Sequence, residues 1–178
     1  DAGENRWNTT FVREIAKALD TIEDDEGPGA LITSATDSKF FSNGLDLDWM
    51  QAPEDYPDGG DREVFGEEFM YLMGRFITLP IPTICALNGH TFGAGFMFAL
   101  SHDFRIMRED RGFLCANEMQ LGLPIPRPEL ALFKHKIPTN AFFETVQLSK
   151  RWTGTDALEA GIVQEVSSFE ELSNVALS

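Results

Sequence analysis

The chain has 178 residues, 43% hydrophobic and 24% charged, with two cysteines. A chain of this length buries roughly two-thirds or more of its unfolded surface in one core, and the composition excludes disordered, collagen-like and membrane-spanning classes. Acids outnumber bases 29 to 14, a net charge of −15, so the field repels phosphodiester backbones and anionic lipid; neither nucleic acid nor a membrane is expected as a partner.

Phe11, Ile15, Leu19 and Ile22 recur at helical spacing behind Asn8-Thr9-Thr10, which predicts an amphipathic helix over about 10–24 with its N-cap in that triplet. The triplet also fits a glycosylation sequon, a pattern too frequent by chance to carry weight. Gly27-Pro28-Gly29 ends the helix, and Ala30-Leu31-Ile32-Thr33 reads as a short strand covered on both faces. Residues 38–44 read as a polar, glycine-containing turn leading into Leu45-Asp46-Leu47, and residues 51–62, rich in Pro, Asp and Gly, as a mobile surface loop. Phe65, Phe69, Leu72, Phe76 and Leu79 predict a second amphipathic helix, stopped by Pro80 and Pro82, with its phenylalanine stripe in the core. Residues 83–87 predict a buried strand, 88–95 a glycine-bearing turn and 96–101 an apolar helix. Residues 104–107 and 113–115 are strand candidates. After residues 124–128 the pattern is helical, broken at Gly154 and Gly161, with Ile162-Val163 as a last strand. Strands alternating with helices predict an α/β layered fold with largely parallel pairing, in a single domain over residues 1–178.

Cys85 and Cys115 stand in apolar surroundings without C-x-x-C pairing, which fits a reducing intracellular compartment. The first residues show neither a basic start nor an apolar run, so no signal peptide is expected. G-x-S-x-G, the phosphate-binding G-x-x-x-x-G-K-[ST] and H-E-x-x-H are all absent, and His90, His102 and His135 lack metal-ligand spacing. Gly93-Ala94-Gly95 begins like a dinucleotide fingerprint, but Phe98 stands where its third glycine belongs. What remains is a pair of glycine turns, Asn43-Gly44-Leu45 and Gly93-Ala94-Gly95, each leaving an apolar strand and entering a helix. Either their unpaired N–H groups form an oxyanion hole, or the glycines only permit tight turns and close packing.

The segments Ala30-Leu31-Ile32-Thr33, Lys39-Phe40-Phe41-Ser42-Asn43-Gly44-Leu45-Asp46-Leu47, Asn88-Gly89-His90, Gly93-Ala94-Gly95, His102-Asp103-Phe104-Arg105-Ile106, Asn117-Glu118-Met119-Gln120-Leu121-Gly122-Leu123 and Ala157-Leu158-Glu159-Ala160-Gly161-Ile162-Val163, in this order, resemble the crotonase, or enoyl-CoA hydratase/isomerase, superfamily. The resemblance implies a spiral of ββα units, an acyl-CoA thioester as substrate, no cofactor and no metal, and a homotrimer or hexamer. It also implies that the N–H groups of Leu45 and Ala94 hold the thioester oxygen, with Ser42, Asn43, Gly44, Asp46, Leu47, Gly93 and Asn117 as neighbouring substrate-binding positions. Against the family pattern the chain is short at both ends, where the N-terminal strands and C-terminal helices are missing.

Hydratases of this family use two glutamates, one on the helix after the glycine turn and one about twenty residues later. Here the first position is Met97, a core side chain, and only the second carries an acid, Glu118. Adding water needs both a held water and a delivered proton, whereas moving a double bond from β,γ to α,β needs one carboxylate that takes the α proton and returns it at the γ carbon. The resemblance therefore implies a 3,2-enoyl-CoA isomerase of unsaturated fatty acid β-oxidation, cytoplasmic in a bacterium, mitochondrial or peroxisomal in a eukaryote. The alternatives are an enoyl-CoA hydratase or other crotonase activity, or a catalytically silent acyl-CoA-binding assembly protein. Glu118 beside Leu121 and Leu123 fits a partly buried base, against a surface helix cap. Asp46 is expected as a helix cap or turn residue, Asn117 to orient substrate or only its loop, Lys39 to meet CoA phosphate or only solvent, and His90 and His102 to be structural.

Overall fold

The computed structural model describes residues 3–25, 27–53 and 61–178. Helix α1 (Thr9–Glu23) begins where the sequence places it, with Asn8 Oδ1 accepting the Phe11 N–H at 2.9 Å. Three ββα units follow. The first is β1 (Leu31–Thr33), β2 (Phe40–Ser42) and the helices α2 (Leu47–Gln51) and α3 (Phe65–Thr78); the second is β3 (Thr83–Leu87), β4 (His90–Phe92) and α4 (Ala94–Leu100); the third is β5 (Phe104–Arg108), β6 (Leu114–Cys115) and α5 (Glu118–Leu121). The chain continues through α6 (Arg127–Lys136), α7 (Thr139–Val146), α8 (Gly154–Glu159), β7 (Glu165–Ser167) and α9 (Leu172–Leu177).

The first strands of the units pair with β7 into a parallel sheet of order β1-β3-β5-β7, and the second strands form a separate parallel sheet, β2-β4-β6. Side chains alternate across β3 and β5 as strand geometry demands. Cys85, Leu87 and Met107 enter the main core with Phe69, Phe96 and Phe133, while Ala86 and Ile106 face the other way and are covered by Leu172 and Ala176 of α9. The phenylalanine stripe of α3 is core as expected: Phe65, Phe69, Leu72 and Phe76 are buried.

Five local expectations change. Strand β1 is half-buried along its length rather than covered on both faces, because it lies at the edge of its sheet. Residues 40–42, read as part of a polar turn, form the buried strand β2, and residues 90–92, read as part of the glycine turn, form β4; each is only three residues long, too short to show a period. Gly154 opens a helix instead of breaking one, since Thr153 Oγ1 accepts the Asp156 N–H at 3.2 Å as an N-cap. Ile162 and Val163 are buried but not in a strand; the Ile162 N–H closes α8 on the Ala157 carbonyl at 2.8 Å, and the last strand is Glu165–Ser167, paired on β5 by its backbone. The loop expected over 51–62 falls largely on residues 54–60, outside the described residues.

Candidate active site

Parallel strands end on the same side, so the sheet β2-β4-β6 delivers three turns to one edge: 43–45 after β2, 93–94 after β4 in the centre, and 116–118 after β6. A cavity of about 530 Å³ opens there.

The first turn is gripped from outside. The Trp7 N–H donates to the Gly44 carbonyl at 2.8 Å and the Trp7 carbonyl accepts the Asp46 N–H at 2.9 Å, so the Leu45 N–H faces away from Trp7, and none of the described residues accepts it. Trp7 is itself fixed by edge contacts to Phe69 and Phe98, at 5.1 and 5.0 Å between ring centres. In the second turn the Gly93 N–H donates to the Cys115 carbonyl at 2.9 Å, and the Gly93 carbonyl accepts the N–H groups of Phe96 and Met97 at 2.9 and 3.1 Å. The Ala94 N–H, a first-turn donor of α4, has no acceptor among the described residues. The two turns abut: Gly44 has φ 81°, and a Cβ on it would stand 3.0 Å from the Phe92 carbonyl oxygen and 3.8 Å from the Ala94 nitrogen.

Glu118 comes from the third turn. It is 8% exposed, its Oε2 has no hydrogen-bond partner among the described residues, and burial raises its carboxyl above the ordinary range. A Cβ on Gly93, whose φ is 49°, would lie 2.9 Å from Glu118 Oε1 and 3.4 Å from Asn117 Oδ1, which fixes the acid against the central turn. Two N–H donors without an acceptor and a buried carboxylate without a cation, among the described residues, thus border one cavity. That arrangement can hold a carbonyl oxygen on one side and take a proton from the neighbouring carbon on the other.

Of the sequence-derived residues, Asn43, Gly44, Leu45, Leu47, Gly93, Ala94, Asn117 and Glu118 line the cavity, as does Met97. Ser42 and Asp46 do not. Ser42 is buried behind the turn, donating to the Asn5 carbonyl at 2.7 Å and accepting the Gly44 N–H at 3.3 Å, while Asp46 Oδ1 caps α2 through the Trp49 N–H at 3.2 Å. Lys39 lies outside the lining, its ammonium 4.7 Å from the Phe40 ring centre. Among the described lining residues the one cation is Arg6, paired with Glu4 at 2.9 Å and Asp48 at 3.3 Å. His102 is fully buried, bonded to the Phe98 carbonyl at 2.9 Å and Thr33 Oγ1 at 2.8 Å, and His90 stacks on Phe92; neither lines the cavity.

The sequence reading missed Glu129. It lines the same cavity from the first turn of α6, is also 8% exposed, and has its carboxyl pushed up to about 7, mainly by burial and then by the charge of Glu118. Phe65, Phe69, Leu121 and Leu123 add apolar walls to the cavity.

Residues 2–178 match the family model for enoyl-CoA hydratase/isomerase. The chain is 36% identical over 171 residues to the peroxisomal enoyl-CoA delta isomerase 2 of Arabidopsis thaliana, covering 95% of this chain and 71% of that one. It is 34% identical to enoyl-CoA delta isomerase 3 of the same plant, covering 92% and 69%. Among solved structures, an enoyl-CoA hydratase from Mycobacterium ulcerans superposes with a TM-score of 0.86 at 25% identity, covering 97% of this chain and 73% of that one.

Proposed function

Since the chain belongs to the enoyl-CoA hydratase/isomerase family, we infer that it is an enoyl-CoA delta isomerase, moving the double bond of a 3-enoyl-CoA to the 2-trans position. The observation that carries this reading is Glu118, a buried carboxylate without a cation among the described residues, set against the central turn of an edge that also presents the N–H groups of Leu45 and Ala94, which none of those residues accepts. In the reaction the thioester oxygen sits between those two N–H groups and Glu118 removes the α proton. The electron pair spreads over the oxygen and the diene, and a proton added at the γ carbon leaves the double bond between the α and β carbons. Donors already oriented at the oxygen stabilise the dienolate without reorganisation.

Asn43, Gly44, Leu47, Gly93 and Asn117 border the acyl thioester in this reading, and Ser42 and Asp46 act behind it by holding the first turn and the start of α2. The substrate brings all the chemistry required, so the reading includes no cofactor. Exposed apolar side chains at Tyr71, Phe143 and Leu148 support assembly into a homotrimer or hexamer, and two buried free cysteines support a reducing compartment. A peroxisome is favoured by the name of the Arabidopsis relative.

One observation favours hydration as a second reading: Glu129 is a second acid in the cavity. It does not restore the hydratase pattern, because the position on the helix after the glycine turn is the thioether of Met97, which is buried and faces the same cavity. The test of the main reading is Glu118→Gln, which keeps the shape and removes the base. Turnover of a 3-enoyl-CoA is expected to fall about 10²- to 10⁴-fold, roughly 3 to 5 kcal/mol of barrier, with substrate binding unchanged. Unchanged turnover would refute the assignment, and lost binding would make Glu118 structural.

A further inference from the structure

Glu129 has no role in the one-base reaction just described, yet it occupies a costly position. Its carboxyl has neither a hydrogen bond nor an ion pair among the described residues, and Arg6, the one described cation of the cavity lining, is turned to Glu4 and Asp48. Glu118 is equally buried, with Oε2 unpartnered. Two buried acids facing one cavity without a counter-charge weaken the fold unless a ligand uses them. Glu129 is also held firmly. It lies one helical turn before Phe133, on the same face of α6, and Phe133 packs edge-on against Phe96 of α4 at 5.3 Å.

Resting on the isomerase reading, we propose that Glu129 is the acid that protonates the γ carbon, so that the double-bond shift runs between two carboxyl groups. Glu118 borders the central turn beside the N–H of Ala94, and Glu129 reaches the same cavity from a different element, α6. Burial raises both carboxyls, and the charge of Glu118 adds to the rise that takes Glu129 to about 7, which favours Glu129 as a proton carrier in this pair. The step balances. The α C–H bond breaks and its proton goes to Glu118, while the electron pair moves to the thioester oxygen. The thioester C=O then re-forms as the pair on oxygen returns, the π pair between C1 and the α carbon becomes the α,β double bond, and the β,γ π pair takes the proton of Glu129 to form the γ C–H bond. Glu118 ends protonated and Glu129 ionised, and each then exchanges with solvent, Glu118 losing its proton and Glu129 regaining one, which resets the site.

The experiment uses 3-hexenoyl-CoA deuterated at C2, in ordinary water, with the full chain. Wild type is expected to give product carrying solvent hydrogen at C4. Glu129→Gln is expected to isomerise about 10- to 100-fold more slowly while still exchanging C2 deuterium with solvent at close to the wild-type rate, and Glu129→Asp to recover part of the loss. Deuterium carried from C2 to C4 by the wild type would overturn the proposal without any variant. So would Glu129→Gln isomerising at the wild-type rate, or losing exchange and isomerisation together. A wild type that isomerises no 3-enoyl-CoA would instead sink the isomerase reading, and this inference with it.

Discussion

Gly93 combines φ 49° with a Cβ position 2.9 Å from Glu118 Oε1, so an alanine there would be strained in its backbone and would collide with the acid. Gly93→Ala is expected to cost about 1–3 kcal/mol of stability and to reduce turnover of a 3-enoyl-CoA at least tenfold, read by chemical denaturation and a spectrophotometric assay. Glu129 gives a pH signature. Its folded carboxyl titrates at about 7 against an ordinary 4.5, so the native state keeps a proton that the unfolded chain releases. The contribution of Glu129 to stability therefore falls as pH rises from 4.5 to 7 and levels above that. Glu129→Gln lacks this contribution: relative to wild type it should be unchanged below pH 4.5 and more stable by up to about 3 kcal/mol at pH 8, measured by denaturant titration of both proteins at each pH. These two acids also mark what the sequence could tell. Glu118 follows Asn117 in a stretch matching a family pattern, and its loneliness opposite Met97 was visible. Glu129 follows Arg127-Pro128 in the first turn of a helix, where an acid normally serves the helix dipole, and nothing in one dimension distinguishes that from a cavity wall.

Helices with a full apolar stripe were legible: α1 and α3 lie where the spacing of their Phe, Ile and Leu residues puts them, and they pack on each other with Arg75 reaching Asp20 at 2.7 Å and Glu23 at 2.8 Å. The cap of α1 is a fair test of that local logic. Asn8→Ala removes the acceptor for the Phe11 N–H and should lower stability by about 1 kcal/mol with kcat/KM unchanged, as a denaturation midpoint and a rate assay will show. Short strands were not legible in the same way. β2 and β4 are set by pairing with each other and with β6, a non-local cause that three residues of sequence cannot carry, and β7 is marked by backbone bonds to β5 while its Glu165 side chain is exposed. The turns that follow β2 and β4 were recognised as glycine turns, but only the sheet order explains why they meet.

The repeated ββα plan is what the family resemblance implies, and the structure adds the two parallel sheets and the single edge at which three turns converge. The chain spans 71% and 69% of the two Arabidopsis isomerases it resembles, and within that span the two glycine turns, Glu118 and Glu129 all line one cavity. The net charge of −15 is consistent with the lining, where acids outnumber the single described cation. Double-bond transposition at the edge of the small sheet is the central claim, and it is tested most directly on the unaltered protein by comparing kcat/KM for isomerisation of 3-hexenoyl-CoA with kcat/KM for hydration of crotonyl-CoA, both followed by absorbance. Met97 in place of the first hydratase glutamate predicts that isomerisation is faster by at least about tenfold; hydration faster than isomerisation would contradict the account.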